Sequence, residues 1–119
     1  MAVESNTQAV VAKLKELTGY PVFKTDITRD EALANPSFFV YEDKGDITQG
    51  SNGNQFLMEF IISFITTEDA SIDEIDLILA LRYFGLIFNR TETEHGRVAN
   101  TESEAKMVTF NFHVPLIYC

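Results

Sequence analysis

Residues 54–69, NQFLMEFIISFITTED, constrain the fold of this chain more than any other stretch. From Gln55 to Thr66 the run is rich in Phe and Ile, with Gly53 before it and Glu68-Asp69 after it. A helix that spans a bilayer needs about 20 apolar residues. This run is shorter and is interrupted by Glu59, so it does not read as a membrane span. Its alternation predicts a strand. Phe56, Met58, Phe60, Ile62 and Phe64 fall on one side, which is wholly apolar and belongs to a core. Leu57, Glu59, Ile61, Ser63 and Ile65 fall on the other. A carboxylate and a hydroxyl among aliphatic residues suit a contact surface better than water or deep core.

The flanking sequence predicts what packs beneath the first side. In SNTQAVVAKLKELTG, Ser5 with Gln8 reads as a capping box, Val10, Val11, Leu14 and Leu17 form a stripe, and Gly19 ends a helix. Tyr20-Pro21 breaks it, and Pro21-Val22-Phe23 begins a short extended segment. Residues 24–36 read as a loop with one helical turn, ending before Pro36. SFFVYE, residues 37–42, is a strand by composition, and its simplest partner is part of the long strand. The intervening DKGDITQGSNGN reads as a hairpin connection with a mobile tip. A second helix is predicted from Ser71, with Ser71 and Glu74 as capping box and Asp73, Glu74 and Asp76 at the positive end of the dipole. Its predicted stripe is Ile72, Ile75, Ile78 and Leu79, widened by Leu77, Leu81 and Phe84, and Gly85 stops it. Strands follow over 86–92 and 107–117, separated by the polar TETEHGRVANTESEAK, read as a loop. In the last strand Val108, Phe110, Phe112, Val114 and Leu116 alternate with Thr109, Asn111 and His113.

This order predicts one α+β domain over 1–119: a mostly antiparallel sheet of about four to five strands with two helices packed on one face. A strand of a dozen residues is roughly 40 Å long, more than a two-helix layer readily spans. The other face, with Leu57, Ile61 and Ile65 beside Glu59, Ser63, Thr109 and Asn111, is left without a predicted cover. Subunit association would supply one.

The charge balance excludes some partners. With 9 basic and 18 acidic residues the formal net charge is -9, which argues against a basic patch for nucleic acid and against an anionic membrane. The one cysteine, Cys119, permits no internal disulfide and has no fixed base to activate it. MAVESNTQ shows no secretion signal, so a cytoplasmic site of synthesis is expected.

No constellation for catalysis emerges. His95 and His113 are the only histidines; without a cysteine partner or a clustered imidazole, zinc is not expected. The carboxylates of EDASIDEID lack the mid-loop glycine of a calcium site and fit helix capping. Gly50-Ser51-Asn52-Gly53 precedes a strand and has no following Lys, unlike a phosphate loop. Ser63 and Thr109 have no histidine and acid at a motif spacing. No cofactor and no enzyme activity are expected. The two polar connections are the better functional candidates: Asp43, Lys44 and Asp46 in the first, and Glu92, Glu94, Arg97, Glu102 and Glu104 in or beside the second.

Taken together, the N-terminal helix running into LTGYPVF, then PSFFVYED, EFIISFITTED, SIDEIDLILALRYFG leading into LIFNRTETE, and the closing MVTFNFHVP resemble the tail terminator (tail completion) proteins of long-tailed siphophages. The resemblance covers nearly the whole chain. It implies a structural virion protein that forms a hexameric ring, binds the last ring of tail tube protein, ends tube elongation and presents a surface to the head connector or stopper protein. DNA would pass through the lumen without specific binding, no membrane would be involved, and the protein would sit at the head-proximal end of the tail after assembly in the host cytoplasm. The alternatives are another head–tail connector or head-completion component, and a cytosolic ligand-binding domain. The expected subunit or partner interface is Leu57, Glu59, Ile61, Ser63, Thr109 and Asn111 on the sheet, with Asp43, Lys44, Asp46, Glu94, Arg97 and Glu102 in the connections.

Overall fold

The long alternating run is the spine of the sheet. The computed structural model describes residues 2–24, 34–50, 53, 55–68, 70–97 and 104–117. In chain order they form α1 (Ala2–Thr18), β1 (Val22–Lys24), β2 (Ser37–Glu42), β3 (Ile47–Gln49), β4 (Gln55–Thr66), α2 (Glu74–Arg82), β5 (Ile87–Arg97) and β6 (Glu104–Ile117). The architecture is α+β, with two helices among the described residues and a six-stranded sheet in the order β1-β2-β4-β6-β5, β3 also lying on β4. All pairings are antiparallel except β1 with β2. One edge of β4 pairs with β6 from Gln55↔Ile117 to Thr66↔Lys106. Its other edge is shared end to end by β2, from Ser37↔Thr66 to Glu42↔Ile61, and β3, from Ile47↔Met58 to Gln49↔Phe56.

Burial follows the alternation. Met58, Phe60, Ile62 and Phe64 of β4 and Val108, Phe110, Phe112, Val114 and Leu116 of β6 are buried in one cluster with Val10, Leu14, Leu77, Ile78, Leu81 and Leu86. Aromatic rings fill it: Phe39 meets Phe64 at 4.9 Å and Phe88 meets Phe112 at 5.6 Å between centroids. Off-parallel aromatic pairs at such spacings hold one geometry better than aliphatic packing does. Thr66, at the end of β4, is buried against Ser37, their hydroxyls 2.8 Å apart, and accepts from Ala70 N–H as the chain turns toward α2.

Four expectations are corrected. The sheet has six strands, because β3 lies inside the segment read as a connection. Ile47, Thr48 and Gln49 are all exposed, so β3 is held by main-chain pairing and leaves no hydrophobic alternation to detect. The supposed loop 91–106 is largely two strand arms, since β5 pairs with β6 from Thr91↔Phe110 to Arg97↔Glu104. Thr-Glu-Thr-Glu alternates β-branched and charged residues, a pattern for a ribbon wet on both sides. Helix α1 begins at Ala2, so Ser5 lies inside it and does not cap it. Helix α2 is capped by Asp73, whose Oδ1 accepts from Asp76 N–H at 3.0 Å, and not by Ser71. Two glycines behave as expected: Gly19 and Gly85, at φ 75° and 88°, close the helices in left-handed conformation. The predicted loop 24–36 and hairpin tip fall mostly on residues outside those described.

The join between β2 and β3 is a bulge. Four residues, 43–46, stand opposite two on β4: Gly45 N–H donates to Glu59 carbonyl at 3.0 Å, and Glu59 N–H donates to Asp46 carbonyl at 2.9 Å. A Cβ on Gly45 would lie 2.8 Å from Glu59 Cβ and 3.0 Å from its carbonyl oxygen. Gly45→Ala is therefore expected to lose about 1–3 kcal/mol in urea unfolding. Gly96→Ala, whose methyl meets nothing within 4 Å, is expected to be neutral or slightly stabilising. Equal stability of the two variants would show that the bulge is not sterically tight.

Candidate interaction surface

The odd-numbered side chains of β4 and β6 line the opposite side of the sheet. Register pairs Leu57 with Pro115, Glu59 with His113, Ile61 with Asn111, Ser63 with Thr109 and Ile65 with Met107. All ten are half-buried, and none joins the core cluster. β2 adds Val40 and Glu42 beside Ser63 and Ile61, whereas Phe38, beside Ile65, is buried against Phe23. β5 adds Ile87 beside His113, and then Arg90, Glu92 and Glu94. Six of the predicted interface residues, Leu57, Glu59, Ile61, Ser63, Thr109 and Asn111, thus lie together on this open face.

A polar row crosses it. Asn89 Nδ2 donates to Asn111 Oδ1 at 3.3 Å, Asn111 Nδ2 donates to Glu59 Oε2 at 2.9 Å, and the Ser63 and Thr109 hydroxyls are 3.3 Å apart. Beside this row β5 carries a bulge between Phe88 and Arg90. One extra residue shifts the phase of the strand, so after core-facing Phe88 both Asn89 and Arg90 face the open side. Arg90 then pairs with Glu92 at 2.8 Å.

The predicted residues in the connections separate. Glu94 is exposed on the open face, beside Met107. Arg97 closes β5 opposite Glu104. Lys44 and Asp46 are exposed in the bulge. Glu102 lies outside the described residues. Asp43, expected on a polar connection, is buried instead, with a side chain only 8% exposed. Its Oδ2 accepts from Thr7 Oγ1 of α1 at 3.0 Å. Its Oδ1 lies 3.7 Å from Lys24 Nζ of β1, too long for a hydrogen bond but close enough to compensate the charge. Asp43 therefore fastens the bulge to α1 and β1.

A second surface was not foreseen. On α2 the buried residues are Leu77, Ile78 and Leu81, whereas Ile75 and Leu79, placed in the buried stripe by the sequence, are 66% and 52% exposed. With Tyr83, 89% exposed, they form an outward row at i, i+4, i+8. The signal was present: EIDLILALR carries apolar residues around its whole circumference, and such a helix has a second side to bury.

Among the described residues no three His, Cys, Asp or Glu side chains converge as metal ligands, and no helix is long and apolar enough to cross a membrane. A cavity of about 540 Å³ lies at the Thr66 end of the sheet, lined by Glu68, His95, Glu104 and Lys106. Compared with known proteins, the chain matches no protein-family model and no curated protein.

The Asp43 link yields a double-mutant test. Asp43→Ala is expected to cost about 1–3 kcal/mol and Thr7→Val about 0.5–1.5 kcal/mol in urea unfolding. The double variant should lose clearly less than the sum, because both remove one hydrogen bond. Full additivity would mean that the two side chains do not act together.

Proposed function

We propose that this chain is a structural protein that assembles with copies of itself into a hexameric ring. The ring caps the tail tube of a long-tailed phage, ends tube growth and offers its far side to the head connector. The observation that carries the self-assembly is the open sheet face. The 12-residue β4 is paired along its full length, yet only one of its sides is buried. Leu57, Ile61, Ile65, Met107 and Val40 are held half-wet on the other. A soluble monomer seldom leaves so large an apolar surface uncovered. In this reading both helices lie on the buried face, a placing supported by Val10, Leu14, Leu77, Ile78 and Leu81 sharing one cluster with that face. A neighbouring copy then covers the open one.

The tail-tube role rests on the resemblance in size, element order and local sequence. Its physical support is charge. At a formal -9 per chain, a ring of several copies is strongly anionic, and a lumen of that sign lets DNA slide through without adhering.

The test is electron microscopy of the purified protein mixed with isolated tail tubes, alongside its mass in solution by light scattering. Rings seated at one end of the tubes are expected. Rings that bind only DNA-filled heads would reassign the protein to head completion. A monomer at every concentration that ignores both would overturn the proposal.

A further inference from the structure

We infer that self-association through the open face is coupled to proton uptake, with Glu59 and His113 as the pair that takes the proton. This rests on the ring reading above and concerns how that contact is controlled, whatever part of the neighbouring copy makes it. Register sets the two side chains opposite each other on adjacent strands, a separation at which cross-strand pairs interact. Both are half-buried. Their surroundings are aliphatic. Leu57 and Ile61 stand to either side of Glu59 along β4, Pro115 follows His113 on β6, and Ile87 flanks His113 from β5.

In the free chain the Glu59 carboxylate is partly open to solvent, and its Oε2 accepts from Asn111 Nδ2 at 2.9 Å. A copy seated on this face removes that solvent. One hydrogen bond from a neutral amide does not compensate a desolvated carboxylate, whereas a neutral or charge-paired group costs far less. The other charges facing the pair leave the local balance negative. Glu42 lies on β2 beside Ile61. The bulge opposite Glu59 brings Lys44 and Asp46, one of each sign. On β5, Arg90 beside Asn111 is held by Glu92 at 2.8 Å, and Glu94 lies further along. His113 is, among the described residues, the group next to Glu59 whose type changes charge near neutral pH. With the imidazole protonated the pair is neutral overall, and it is equally neutral if the proton sits on the carboxylate. Either way the covered pair holds one proton more than a carboxylate beside a neutral imidazole. The covered state therefore binds the proton more tightly than the free chain does. The contact is strongest below the pH at which an exposed imidazole titrates, about 6.5, and weakens as pH rises through the higher value of the covered pair.

The test is the dissociation constant of self-association, by sedimentation or light scattering, at pH 6 and pH 8 and constant ionic strength. One proton per contact allows up to about tenfold tightening for each unit that the pH falls. The parent is expected to associate about tenfold more tightly at pH 6. Glu59→Gln keeps an acceptor for Asn111 and needs no proton. It should associate at pH 8 at least as well as the parent, and its dependence should flatten or reverse, because acid then buries a lone imidazolium. His113→Gln should stay at the parent's weaker level at both pH values. Glu92→Gln, which removes an exposed carboxylate from the same side, should keep the parent's dependence and so separates the pair from general repulsion between acidic chains. Circular dichroism checks that each variant is folded at both pH values, and Glu59→Gln carries the test alone if His113→Gln unfolds. A parent that associates no more tightly at pH 6, or a Glu59→Gln chain that keeps the parent's dependence, would overturn the proton coupling while leaving the ring standing. A parent that is monomeric at both pH values would remove the ring and the coupling together.

Discussion

The structure depends on one constraint: a period-2 alternation kept over the 12 residues of β4. Side chains on a strand point alternately to either side, so the run from Gln55 to Thr66 divides into two surfaces of equal length. One is apolar from Phe56 to Phe64, and burying it commits β4 to the centre of the sheet. There Met58, Phe60, Ile62 and Phe64 meet Val108, Phe110, Phe112 and Val114 across the ladder. A one-residue slip would put Glu59 and Ser63 into that core, so the same pattern fixes the register. The remaining elements are arranged around this pairing. β2 and β3 complete one edge of β4, β5 extends the sheet past β6, and α1 and α2 contribute the residues that close the core.

The two irregularities in the sheet act on different sides of it. At the four-against-two bulge of 43–46, Asp43 keeps the inward side of Phe39 and Tyr41 and reaches Thr7 and Lys24. The bulge at Asn89 lets Arg90 share the open side with Asn89, where a regular strand would have turned it to the core. Neither breaks the sheet. The second brings Arg90, Glu92 and Glu94 onto a surface that is otherwise largely aliphatic.

What could be read in the sequence was what hydrophobic periodicity encodes. β2 at residues 37–42, the long strand, the two helix-closing glycines and the pairing of β2 with β4 were all legible, because each is marked by an apolar pattern or a conformational need. β3 and the outer halves of β5 and β6 were not. They are stabilised by main-chain hydrogen bonds between polar residues, and side chains such as Thr48, Thr91 and Glu94 leave no hydrophobic trace of that pairing. Helix caps were misplaced by a few residues because Ser, Asp and Glu crowd the start of α2, and only geometry shows that Asp73 is the one that bonds. Six residues of the candidate surface followed from alternation alone. The row Ile75, Leu79, Tyr83 did not, since an all-round apolar helix does not say which side faces home.

The rim strand β5 bears on how the chain behaves at high concentration. Its outer half alternates Thr91, Thr93 and His95 with Glu92 and Glu94, all exposed, along a border whose main-chain groups are open to water. Two such borders meeting in solution bring carboxylates close together in most registers, and the repulsion discourages the runaway sheet extension that leads to fibrils. A chain with a sticky flank and a repellent rim is thereby steered away from amyloid-like stacking while its flat side stays available.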